Sequence, residues 1–298
     1  MKSSSPPRPP PPPQEGSKEM DPAAAEETTT VLGAYAGPAR PVETASGETM
    51  LLWSLGQPAS HRPNAFVRHG AAAFALDACG RRVTLLQSPS SFMAASGVTG
   101  AVVWDSAVVL AKFLEHAAAD TGALKGLRGG RALELGAGCG LVGIVAALLG
   151  ARVVATDLHD RLRLLAKNIE QNLDSSSCWG GGSAQAAELV WGDEDPVLDD
   201  DGSHDFDFIL GSDVVYSEEA VDPLVATLNG LAGDRTTILL AGELRNDVVL
   251  ECFLEAAMED FDIGSIQQEQ WHPDFRTNRV AIFILVKKPK PQPQEESI

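Results

Sequence analysis

From residue 131 onward, short aliphatic runs alternate with longer stretches in which apolar positions recur three and four apart. The runs at 131–135, 152–156, 187–190, 206–210, 236–241, 263–267 and 280–286 predict strands. The intervening stretches at 141–149, 161–172, 222–231 and 248–260 predict helices. Gly150 follows the first of these helices as a left-handed stop, and Pro223 stands in the expected first turn of the third. Strands joined through helices imply right-handed crossovers and a parallel sheet covered on both faces. The last two strands have only a polar link at 271–278 between them, so they should pair antiparallel.

Upstream of this region the rhythm is weaker. Apolar runs at 71–76 and 83–86 flank Gly80 and predict a hairpin within 66–87. Residues 105–114 show helical apolar spacing, with Asp105 or Ser106 placed to cap the start. Residues 1–45 read as a disordered tail: 9–13 is an unbroken proline run that cannot donate backbone hydrogen bonds, and large apolar groups are few. The proline run also fits a ligand for a proline-binding module, though the flexible tail is the reading favoured. The predicted organisation is a tail at 1–45, one domain at 46–288 with its core at about 100–288, and a short polar tail at 289–298.

Composition narrows the function. The chain has 298 residues and a formal net charge of −18, a field that repels phosphate backbones and attracts basic partners. Nucleic acid is therefore a poor substrate candidate. No uncharged apolar stretch approaches the roughly 18 residues that a bilayer requires, and the N-terminus carries no apolar signal segment, so no membrane is expected. The four cysteines are scattered without a CxxC pair, which fits a reducing compartment: the cytoplasm, with the nucleus also open. The six histidines show no ligand spacing, so no metal is expected. The acids between 193 and 207 read as a solvated loop, or as a recruiting patch for a basic partner.

The chemistry gathers at Glu134-Leu135-Gly136-Ala137-Gly138-Cys139-Gly140, which follows a strand and opens a helix. Its glycines permit a tight turn and close backbone approach to a ligand, and the helix start adds free amide donors. The run 138–143 also satisfies the dinucleotide pattern G-x-G-x-x-G, a weak signal alone. Three features favour S-adenosylmethionine instead. Glu134 is an acid beside the glycines, suited to an amino or sulfonium group and unsuited to a pyrophosphate. Asp157 ends the second strand, where ribose hydroxyls are bound in either kind of site. Asp213-Val214-Val215-Tyr216 follows the fourth strand, where a transferase needs its acceptor.

These residues, together with Val103-Trp104-Asp105-Ser106-Ala107, Val190-Trp191-Gly192 and Ser212, resemble the family-16 seven-strand (class I) protein-lysine methyltransferases of the methyltransferase-like 21 type. The resemblance covers roughly residues 65–288. It implies an α/β fold: a Rossmann-like, seven-stranded, mostly parallel sheet with an antiparallel last strand, helices on both faces and an N-terminal hairpin addition. It also implies roles. Trp104 lines the cofactor pocket, and Gly136, Ala137 and Gly138 contact the cofactor through their backbone. Asp157 binds the ribose, Trp191 flanks the adenine and Ser212 closes the pocket. Asp213 and Tyr216 stand at the acceptor side as the catalytic pair. The family's substrates are chaperones, translation factors and related proteins. Cys139 departs from the family's more frequent Thr, and the proline-rich N-terminus has no counterpart there.

A lysine amine, with an ordinary pKa near about 10.4, must shed its proton before it can attack a methyl group. Asp213 and Tyr216 are expected to orient it while solvent takes the proton. Each assignment has a structural rival: Asp213 as a helix cap, Tyr216, Trp104 and Trp191 as packing residues, Asp157 as a turn residue. At the level of function, transfer to a lysine of a non-histone protein competes with transfer to RNA or a small molecule, and with a non-catalytic protein that keeps the fold.

Overall fold

The computed structural model describes residues 29–55, 64–94, 99–173, 181–193 and 205–289. The proline run at 9–13, most of the acidic stretch and the C-terminal tail from 290 lie outside the described residues.

Five parallel strands form the centre: β5 (Arg131–Leu135), β6 (Arg152–Asp157), β7 (Ser183–Glu188), β8 (Phe208–Ser212) and β9 (Thr237–Glu243). β11 (Val280–Lys287) runs antiparallel between β9 and β10 (Phe261–Ser265). The sheet does not end there. β2 (Tyr35–Pro41) pairs with β10 and β1 (Thr30–Leu32) pairs with β2, giving nine strands in the order β1-β2-β10-β11-β9-β8-β5-β6-β7. Part of the stretch expected to be a disordered tail is thus structured. Its signal is weak because Tyr35 and Ala39 are the positions it buries deeply, on a strand interrupted by Gly37 and Pro38.

One face of the sheet is covered by α3 (Asp105–Glu115), α4 (Leu141–Leu148) and α5 (Leu162–Asn172). The other is covered by α1 (Ala45–Leu55), α6 (Glu218–Leu231) and α7 (Asp247–Asp260). α4 is apolar on all sides and every residue in it is buried, which is the expected state of a helix wedged between sheet and neighbours. α6 starts four residues earlier than its sequence pattern suggests, so Pro223 lies inside it and not in its first turn. β7 likewise lies at 183–188 and not 187–190: it is an edge strand of small, half-exposed residues, paired on one side only by β6, so it lacks the apolar run a central strand carries.

The hairpin of β3 (Ala73–Ala78) and β4 (Arg81–Leu86) forms as expected, as a separate two-stranded sheet. Cys79 and Gly80 both have positive φ (53° and 72°), as a two-residue turn of type I′ requires. Its free edge is held by α5: Asn168 and Asn172 exchange hydrogen bonds with the backbone of Thr84 and Leu86. The short helix α2 (Pro89–Phe92) then leads toward α3. Among the described residues no helix is long and apolar enough to cross a membrane.

Candidate active site

The carboxyl ends of β5, β6 and β8 open into a cavity of about 350 Å³, within the range of small-molecule and cofactor sites. The loop from β5 to α4 forms its floor. Gly136, Gly138 and Gly140 all have positive φ (59°, 54° and 84°). Neighbours crowd all three as well, a Cβ on Gly140 standing 2.6 Å from a Leu165 methyl. A Cβ on Gly136 would stand 3.1 Å from Val214 and 3.3 Å from Trp191, and one on Gly138 would stand 3.2 Å from the Gly100 carbonyl oxygen. The loop is tied to β6, with Ala137 N–H donating to the Thr156 carbonyl (2.8 Å) and the Thr156 hydroxyl to the Glu134 carbonyl (2.6 Å).

Asp157 closes β6 beside this loop. Its carboxylate accepts from the N–H of Gly138 (2.7 Å) and of Leu158 (2.8 Å), and Arg161 stands 3.8 Å away. Burial raises its pKa, and these donors and the guanidinium oppose the shift. Trp104 precedes α3 in extended conformation and lines the cavity, its indole N–H donating to the Thr99 carbonyl. Trp191 lines the opposite wall, 6.2 Å from Tyr216 between ring centroids. Ser212 ends β8 at the cavity.

Of the residues singled out in the sequence, Trp104, Gly136, Ala137, Gly138, Asp157, Trp191, Ser212, Asp213 and Tyr216 all line this one cavity. Glu134 does not. Strand alternation turns its side chain away from the ligand side and under α4, where it is 1% exposed and accepts from Gly143 N–H (3.0 Å). A Cβ on Gly143 would stand within contact of this carboxylate, so the two positions fit each other. Burial raises the Glu134 pKa to about 8. It is a buried acid beneath the loop, outside the residues that line the cavity.

Asp213 lines the cavity at the end of β8, held there by bonds within the protein. It adopts positive φ (59°), a conformation Asp tolerates better than most residues. One carboxylate oxygen accepts from Glu243 N–H (3.0 Å) and the other from Arg245 (2.6 Å). It caps no helix, and much of its accepting capacity is used within the protein. Tyr216 is 54% exposed, with its ring on the cavity rim.

Sequence reading missed Arg245 and Arg161, both on the cavity wall. Arg245 bridges Asp213 and Glu243 (3.2 Å) while its guanidinium lies 4.3 Å above the Trp104 ring. Glu243 in turn accepts from Asp105 N–H (3.1 Å) and meets Arg279 (3.3 Å), and Asp105 receives the N–H groups of Ala65, Phe66 and Val67. This network joins the ends of β8 and β9 to the start of α3. No local motif marks it, because its members are scattered from 65 to 279.

The arrangement suits a cationic nucleoside. A flat group fits against the indole rings of Trp104 and Trp191, a glycine floor without side chains permits close approach, and the two lining carboxylates, Asp157 and Asp213, are balanced by Arg161 and Arg245.

Comparison with known proteins agrees. A lysine methyltransferase family model matches residues 93–259. Protein N-lysine methyltransferase METTL21A of Danio rerio is 40% identical over 169 residues, 57% of this chain and 72% of that protein. METTL21A of Mus musculus is 46% identical over 145 residues, 49% of this chain and 61% of that protein. EEF1A lysine methyltransferase 3 of Mus musculus is 34% identical, covering 62% of this chain and 76% of that protein. The solved T. thermophilus 16S rRNA N2 G1207 methyltransferase (RsmC), in complex with AdoMet and guanosine, superposes with a TM-score of 0.50 at 19% identity, over 72% of this chain and 50% of that one, a likeness of fold alone. Because the matched stretch takes in all five parallel strands and both walls of the cavity, the chain belongs to the lysine methyltransferase family.

Proposed function

We propose that the protein transfers methyl groups from S-adenosylmethionine to the ε-amine of a lysine on another, non-histone protein. The convergence of the glycine loop, Asp157 and Tyr216 on one cavity carries this reading. Bound there, S-adenosylmethionine supplies a methyl group activated by a cationic sulfur. Gly136, Ala137 and Gly138 hold it through their backbone, Asp157 accepts from its ribose hydroxyls, and Trp104 and Trp191 enclose it. Holding donor and acceptor close and aligned can supply several kcal/mol of barrier reduction.

On the acceptor side Tyr216 is the exposed polar group, and its hydroxyl orients the incoming amine. Asp213 contributes negative charge at the wall, anchored by Arg245, and attracts the lysine as a cation before solvent takes its proton. The aromatic surroundings favour the neutral amine. The unit that does this begins at Thr30, since β1 and β2 extend its sheet. The mouse relative's name gives EEF1A as that enzyme's substrate; a translation factor or a chaperone, met in the cytoplasm or nucleus, is the partner class we assign here.

Purified protein incubated with labelled S-adenosylmethionine and a cytosolic extract should mark a protein band, with the label on lysine. Label on RNA and on no protein would sink the proposal.

A further inference from the structure

The cofactor cavity has a neighbour. A crevice of about 60 Å³ lies among α1, α7, β9 and β11, and shares Val214, Tyr216 and Arg245 with the larger cavity. Its depth is apolar, closed by buried residues such as Leu240, Phe253 and Phe283. Two small residues leave the room: Gly242 and Ala281 are paired directly across β9 and β11.

Gly242 is the telling position. A glycine inside a strand weakens it, and usually marks a bulge or a close approach. Here neither applies. The φ of Gly242 is not in the left-handed region, its register with β11 is regular, and a Cβ there would meet nothing within 4 Å. Alternation along β9 turns that open side the same way as Leu240, into the crevice. The backbone and the space beside it would accept a Cβ without a clash, yet the space is kept.

We propose that this crevice receives an aliphatic side chain flanking the acceptor lysine in the substrate protein. The inference rests on the methyltransferase reading given above. The acceptor lysine is assigned to the adjoining cavity, where Asp213 stands beside the methyl donor's site; in the depth of the crevice its amine would meet Leu240, Phe253 and Phe283. The crevice is small and its depth is apolar, which suits an aliphatic side chain. The flanking helices also carry exposed apolar side chains, Met50 and Leu55 on α1 and Val248 on α7, suited to the apolar surface around such a residue.

The test compares wild type with Gly242→Ala and Gly242→Leu. Each is titrated with S-adenosylmethionine, then incubated with a cytosolic extract and tritiated S-adenosylmethionine, and the labelled lysine is mapped. An aliphatic residue should flank the mapped lysine. All three proteins should bind the cofactor alike. Gly242→Leu should label that protein about tenfold more slowly, the loss expected for one aliphatic side chain denied burial, with Gly242→Ala between. Changing the substrate's flanking aliphatic residue to glycine should slow wild type by a similar factor and Gly242→Leu no further. Equal labelling by wild type and Gly242→Leu, with cofactor affinity unchanged, overturns the crevice assignment and leaves the methyltransferase reading standing. Wild type that binds the cofactor but labels no protein lysine overturns both. If Gly242→Leu does not fold, Gly242→Ala and the substrate-side glycine replacement decide, and wild-type rates in both overturn the assignment.

Discussion

Two buried acids, Glu134 on β5 and Asp157 on β6, have opposite duties. Asp157 keeps a charged edge on the cavity, supported by two backbone N–H groups. Charge-assisted hydrogen bonds contribute about 1.5–3 kcal/mol each, so Asp157→Ala should weaken S-adenosylmethionine binding on the order of a hundredfold, measured by calorimetry. Glu134 has no part in that contact, and one of its oxygens finds no partner among the described residues. Burial lifts its pKa to about 8, so folded protein retains a proton that the unfolded chain, near the ordinary carboxylate value, has already released. Stability attributable to this group therefore falls as pH rises from about 4.5 to about 8, and levels off beyond. Glu134→Gln should remove that slope. Its melting temperature relative to wild type should be higher at pH 8 than at pH 5, by an amount corresponding to on the order of a few kcal/mol. A constant offset across that range would show that Glu134 is ionised in the folded protein throughout.

At the scale of elements, α7 shows how local chemistry sets a boundary. Asn246 is its N-cap, with a side-chain oxygen accepting from Val248 N–H (3.1 Å) and Val249 N–H (3.4 Å). Asn246→Ala should cost about 1 kcal/mol in chemical denaturation, and its place beside Arg245 makes methyl transfer a second readout. Four of the five parallel strands, the glycine loop and the 73–86 hairpin were legible because each has a local cause: an apolar run, a positive-φ turn, a helix start. The elements that escaped have distributed causes. β7 owes its pairing to β6, Pro223 lies inside a helix, and β2 takes its partners from β1 and β10. The same division holds at the site. Motif residues were readable, but the pairing of Asp213 with Arg245 depends on two loops that meet only after folding.

For the molecule as a whole, the N-terminal strands act as a cover. They occupy the edge of β10, which would otherwise offer free backbone groups to another chain. Tyr35 is 1% exposed and packs 5.7 Å from Phe113 of α3 between ring centroids, fixing this cover to the core. Tyr35→Ala should lower stability by about 3 kcal/mol or more and increase aggregation in light scattering, with cofactor affinity in the surviving folded fraction unchanged. A loss confined to cofactor affinity would contradict this role.

Asn168 deserves a last consequence. From the buried face of α5 its amide donates to the carbonyl of Cys139, inside the cofactor loop, and to that of Leu86 at the end of β4, whose N–H it also accepts. One side chain thus splices the hairpin to the glycine floor. Ligand arrival should be felt at a distance: when the floor stiffens, the Leu86 amide should exchange with deuterated solvent more slowly, and Asn168→Ala should disconnect that response. The outlying hairpin would then serve as a gauge of whether the enzyme is charged with its methyl donor.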